Sequence, residues 1–117
     1  MPSGKQQVDA ASIVSLVCHY TGYGEHELYG KSRARDLVEA RIIAIYLTRL
    51  HTGLTLAKIG RHFNRDHSTV LHSIASVKTY SEVDGRFGEK LAAIKRLLPA
   101  PPGRPPGMGH WVVVGIR

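Results

Sequence analysis

Apolar residues recur along this chain at helical spacing. Ile13, Leu16, Val17 and Tyr20 mark one face of a first helix, which Asp9 or Ser12 can cap, and Cys18 sits near that face as a small hydrophobe. The run TGYG at 21–24 ends it. A short EHELY turn and the basic loop GKSRAR, residues 30–35, follow. A second helix is predicted from about Asp36 to Leu50, with Leu37, Ala40, Ala44 and Leu47 as its stripe, widened by Ile43 and Leu50. Gly53 stops it. Thr55 caps a short third helix, LAKIGRHF, whose Leu56, Ile59 and Phe63 turn inward. Asn64 is a turn residue. A fourth helix starts near Asp66 or His67 and carries Val70, Leu71, Ile74 and Val77 inward. A fifth spans about Asp84 to Leu98 on Phe87, Leu91, Ile94 and Leu98.

Five helices and no convincing core strand predict an all-α domain. The third and fourth helices, short then longer across a tight turn, have helix-turn-helix proportions. Composition shifts at 99–109, PAPPGRPPGMG, which cannot lie inside a helix or sheet. The closing HWVVVGIR reads as extended, an added strand or a sticky segment for a partner. The expected organisation is a polar start over 1–7, one helical domain over 8–98, and a Pro/Gly-rich linker with tail over 99–117. One domain suits 117 residues.

Charge narrows the function. The chain carries +7 net. Between Lys31 and Lys78 there are nine Lys or Arg against three acids, so six of the seven excess charges fall in that segment. Clustering of one sign favours a surface for an anionic partner, nucleic acid before membrane.

Several chemistries fail on spacing. His62, His67 and His72 lie five apart, which turns them to different sides of a helix, so no metal site is expected. Asp66, His67 and Ser68 supply the residue types of a catalytic triad, but consecutive side chains fan outward rather than converge, so no enzyme is expected. GEHELYGKS at 24–32 has five residues between its glycines where a phosphate-binding Walker loop has four, and no strand precedes it. Cys18 is the single cysteine, which excludes an intramolecular disulfide. ASIVSLVC at 11–18 imitates a short signal core, but only Lys5 precedes it, Asp9 interrupts and no small-x-small site follows; a cytoplasmic protein is expected. No apolar run reaches the length of a membrane span. No cofactor and no small-molecule substrate are expected.

Contact remains. The first turn of the fourth helix offers Arg65, Asp66, His67, Ser68 and Thr69. At the tip of a helix that enters a major groove, Arg suits guanine O6/N7, Asp accepts from cytosine N4, and His, Ser and Thr reach base edges. Against this, Asp66 or Ser68 can simply be the N-cap. His72 is read as half-buried or solvated, and His62 as either a helix end or a phosphate contact.

The stretch 28–77, and above all IGRHFNRDHSTVLH, resembles the C-terminal DNA-binding domain of the bacterial replication initiator DnaA. The resemblance covers roughly residues 8–98. It implies a small helical bundle with a Trp-repressor-like helix-turn-helix and a basic loop, binding a nine-base-pair duplex element with a consensus like TTATCCACA. It implies that Asp66, His67, Ser68 and Thr69 face bases in the major groove, with Arg65 on base or backbone. Lys31, Arg33 and Arg35 match the basic loop, where an arginine, Arg33 before Arg35, enters the adjacent minor groove. Arg41 matches an arginine that grips phosphate, and Thr55 and Lys58 match the helix that crosses the backbone. The implied partners are double-stranded DNA, in the nucleoid, and the full-length initiator itself.

Three departures stand out. The family commonly has two residues, often Gly-Gly, between the phenylalanine and the arginine, whereas Asn64 alone separates Phe63 from Arg65. Glu39, Ala40 and Ile42 stand where basic, proline and glutamine residues are common, and Glu39 is expected to put an acid near the DNA backbone. No nucleotide-binding motif accompanies the domain, so a freestanding reader is expected, one that competes with or tunes an initiator or acts at promoters. The alternative is an interaction module in which the tail captures a protein partner.

Overall fold

The computed structural model describes residues 8–99. Linker and tail from 100 onward, and the start at 1–7, lie outside them, as do the expectations made for HWVVVGIR. Six helices are present among the described residues: α1 (Ala10–Thr21), α2 (Glu25–Tyr29), α3 (Arg35–Thr52), α4 (Leu56–Phe63), α5 (His67–Val83) and α6 (Gly85–Arg96). No strand occurs among them. The helix added to the five expected is α2, EHELY. Five residues are too few to show a period, but Glu27 reaches back to the Gly24 N–H at 2.7 Å and starts the turn.

The long α3 is the axle, packed by α1, α2, α4, α5 and α6. Its residues from Glu39 to Thr48 are therefore buried on every side, and the expected stripe becomes a full circumference. Thr48 fits there because its hydroxyl donates to Ala44 O at 2.7 Å. Around it sit Ile13, Val14 and Val17 of α1, Leu28 of α2, Ile59 and Phe63 of α4, Val70, Ile74 and Val77 of α5, and Phe87, Leu91 and Ile94 of α6. Two expected core residues turn out instead. Leu71 is 53% exposed and Tyr20 46%. Val70 and Leu71 are adjacent, so they diverge by about 100° on a helix and only one can face α3.

Caps set the helix ends. Asp9 accepts from Ser12 N at 2.8 Å, Thr55 from Lys58 N at 3.2 Å and Asp66 from Thr69 N at 2.9 Å. Gly22 and Gly53 close α1 and α3 in the left-handed region. Asn64 does the same for α4 at φ 60°, a conformation its short polar side chain tolerates. That one residue reverses the chain: Arg65 N donates to Gly60 O at 2.7 Å, and a Cβ on Gly60 would collide with the Arg65 carbonyl. Deleting a residue from the turn is thus accommodated by Asn64 above and a bare Gly60 below.

Candidate nucleic-acid interface

Two polypeptide segments, far apart in sequence, meet beside the turn between α4 and α5. The loop after α2 is one and the turn itself is the other. Lys31 Nζ donates to Asn64 O at 3.3 Å. Arg65 donates to Tyr29 O at 3.4 Å, to Phe63 O at 3.0 Å, to Asn64 O at 3.1 Å and to Gly30 O. Tyr29 Oη and His62 Nε2 are hydrogen-bonded at 3.0 Å, and both rings stack edgewise with Phe63. His62 is thereby engaged by the protein.

Arg41 braces the same loop from below. Its side chain is 7% exposed and donates to Leu28 O at 2.7 Å, Ser32 O at 3.2 Å and Glu27 O at 3.2 Å. These carbonyls belong to the end of α2 and the loop, and that of Glu27 also accepts the Gly30 N–H at 3.2 Å. Burial lowers the pKa of Arg41, and the nearby charge of Arg65 lowers it further; burial alone lowers that of Arg65. Both guanidiniums stay protonated, so two like charges are held together by a ring of backbone carbonyls. Arg41, expected to grip phosphate, thus has its guanidinium on these carbonyls, and Arg65, expected on base or backbone, ties the turn to the loop.

Arg35, expected second after Arg33 for the minor groove, is exposed and paired with two acids. It turns away from the loop to Glu39 at 3.3 Å and Asp84 at 3.4 Å, at the rim of a separate hollow of about 810 Å³ that Tyr20, Val83, Arg86 and Lys90 also line. Glu39, 5% exposed, is held between Arg35 and Lys90, the latter at 3.2 Å. It is a buried partner of two cations rather than an acid facing DNA.

The remaining predicted residues are exposed. The side chains of Arg33 and Lys58 make no hydrogen bond or ion pair among the described residues, and His67, Ser68 and Thr69 ring the first turn of α5 with their side chains in solvent. Asp66 caps that turn through Oδ1, and the Thr69 amide holds its pKa below the ordinary carboxylate value. The carboxylate is thus ionised and bound to the helix backbone, with Oδ2 left to accept. Thr55 uses its oxygen in the α4 cap and retains its O–H as a donor. His72 is exposed, one turn along α5.

A hollow of about 580 Å³ joins these parts. Lys31, Ala57, Gly60, Arg61, Asn64, Arg65, Asp66, His67 and Thr69 line it. Arg61 was missed by sequence reasoning. Its signal was available: it stands three residues after Lys58, so both share one exposed side of α4.

Similarity to known proteins follows the same boundaries. Residues 10–77 match the family described as bacterial dnaA protein helix-turn-helix. Relatives named chromosomal replication initiator protein DnaA include that of Bacteroides fragilis, 40% identical over 74% of this chain and 18% of the relative. That of Oleidesulfovibrio alaskensis is 42% identical over 72% and 18%, and that of a Synechococcus strain 38% identical over 83% and 21%. The chain spans about a fifth of the length of these relatives. Among the described residues no helix is long and apolar enough to cross a membrane.

Proposed function

Because the chain belongs to the bacterial dnaA protein helix-turn-helix family, we propose that it binds duplex DNA at sites like TTATCCACA, in replication initiation or its control. The observation that carries this reading is the exposed first turn of α5 set beside an exposed, unpaired Arg33 on a braced loop. The tip of α5 enters the major groove. There Asp66 accepts from a cytosine N4 amine, His67 and Ser68 bond to base edges, and the Thr69 methyl packs on a thymine methyl. Arg33 extends from the loop into the neighbouring minor groove, whose acceptors and negative potential at A·T steps suit a guanidinium. Thr55 and Lys58 meet the phosphates that α4 crosses. Lys31 steers from the loop. Arg41 and Arg65 act by fixing the loop and the turn, and Arg35, exposed and paired with Glu39 and Asp84, by fixing the α3 start.

Replacing A·T by I·C pairs tests the groove assignment. An I·C pair keeps the minor-groove pattern of A·T and changes the major-groove one. At the step read by Arg33, affinity is expected to survive the replacement. At steps under α5 it is expected to fall about tenfold or more, and His67→Ala is expected to reduce the preference for the box over scrambled DNA. Loss at every step alike, with an unchanged preference in His67→Ala, would refute the division of labour.

A further inference from the structure

We propose that Arg61 binds a phosphodiester of the DNA backbone, seated in the hollow it shares with Lys31; this rests on the duplex-binding reading above. Arg61 is exposed on the last turn of α4, and its side chain makes no hydrogen bond or ion pair among the described residues. The acid in the lining of the hollow, Asp66, is not paired with it; its Oδ1 accepts the Thr69 amide. Three cations, Lys31, Arg61 and Arg65, line this hollow against that one carboxylate, so the hollow is net positive. Arg65 spends its donors on carbonyls. Lys31 uses one N–H on Asn64 O and keeps two. Arg61 keeps all five, in the planar fork that matches two oxygens of a phosphate. Space for the phosphate comes from Ala57, whose side chain is a single methyl group, on the exposed α4 wall.

The occupant is set by continuity. His67 and Thr69, on the first turn of α5, form another wall of the hollow. An anion seated there therefore lies against the same turn that faces the bases, which is where the backbone of the duplex being read must pass. A backbone contact here also takes the place left by Arg41, whose guanidinium is engaged inside the protein.

The test measures binding of a box duplex and a scrambled duplex across a salt series. Arg61→Ala is expected to weaken both about tenfold and to leave their ratio unchanged. It is also expected to lower the slope of log affinity against log salt by about 0.9, the value for one phosphate on B-DNA. Arg61→Lys should recover part of the loss. Arg96→Ala, the removal of an exposed charge on α6 away from the hollow, should leave affinity and slope unchanged. Lys31→Ala together with Arg61→Ala should cost less than the two separate losses combined, because both hold one phosphate. Wild-type affinity and slope in Arg61→Ala would overturn the proposal while leaving box binding intact. So would an Arg96→Ala loss as large as that of Arg61→Ala, which would make the effect general charge, or a changed box preference in Arg61→Ala, which would make it a base contact. Absence of duplex binding by the unaltered chain would overturn this proposal and the duplex-binding reading together.

Discussion

Arg33 and Arg41 belong to the same basic stretch and have opposite fates. Arg33 stands in solvent without a partner among the described residues, whereas Arg41 is buried with three carbonyls around its guanidinium. Arg65 and Arg35 fall with Arg41, one tied to the loop and the turn, the other to Glu39 and Asp84. Charge counted along a sequence is therefore not charge offered to a ligand. Part of this protein's excess cation content is spent on bonds to its own residues.

The largest expected effect breaks the brace. Arg41→Ala strips the buried Leu28 carbonyl of its guanidinium donor and loses the half-buried bonds to Ser32 and Glu27, and should cost about 3 kcal/mol of stability. A urea melt reads this directly, and an unchanged midpoint would return Arg41 to the role of a surface phosphate contact. Arg33→Ala supplies the other half of the comparison. Its melt should match the parent, while box affinity should fall about ten- to a hundredfold. Equal losses of stability in the two variants would erase the distinction between brace and probe.

A smaller effect concerns a buried group on the same α3. His51 is 3% exposed, and neither ring nitrogen has a hydrogen-bond partner. Burial, helped by the charge of Lys95, lowers its pKa from the ordinary 6.5. In the window between the lowered value and 6.5 the unfolded chain binds the proton and the folded one does not. Stability from this group is therefore complete above 6.5 and declines as pH falls through and below it. Urea midpoints measured at about pH 7.5 and 5.5 should show the decline, and His51→Leu should flatten it. Equal slopes in the two proteins would assign the decline to other groups.

How much of this was legible in the sequence depended on distance along the chain. The caps at Thr55 and Asp66 were legible because donor and acceptor lie three residues apart. The helix-turn-helix was legible because Ile59, Phe63, Val70 and Ile74 keep a helical period on both sides of Asn64. The fates of Arg35, Arg41 and Arg65 were not. Each has a partner far along the chain, at Asp84, Leu28 and Gly30, and a backbone carbonyl leaves no mark in the sequence that identifies it as an acceptor. The inward placement of Leu71 failed for a related reason: period alone allows either Val70 or Leu71 to face the core, and the packing of α5 on α3 and α4 selects Val70. Glu39 reads as an exposed acid until Lys90 of α6 is seen beside it.

The central claim is that the exposed tip of α5 and the braced basic loop together read a defined duplex. Fluorescence anisotropy on a labelled 15-mer carrying TTATCCACA, against a scrambled 15-mer near physiological salt, tests it most directly. The account predicts a preference of about a hundredfold or more, equivalent to about 2.7 kcal/mol, which is more than phosphate attraction alone can produce. Equal weak binding to the two duplexes would contradict it.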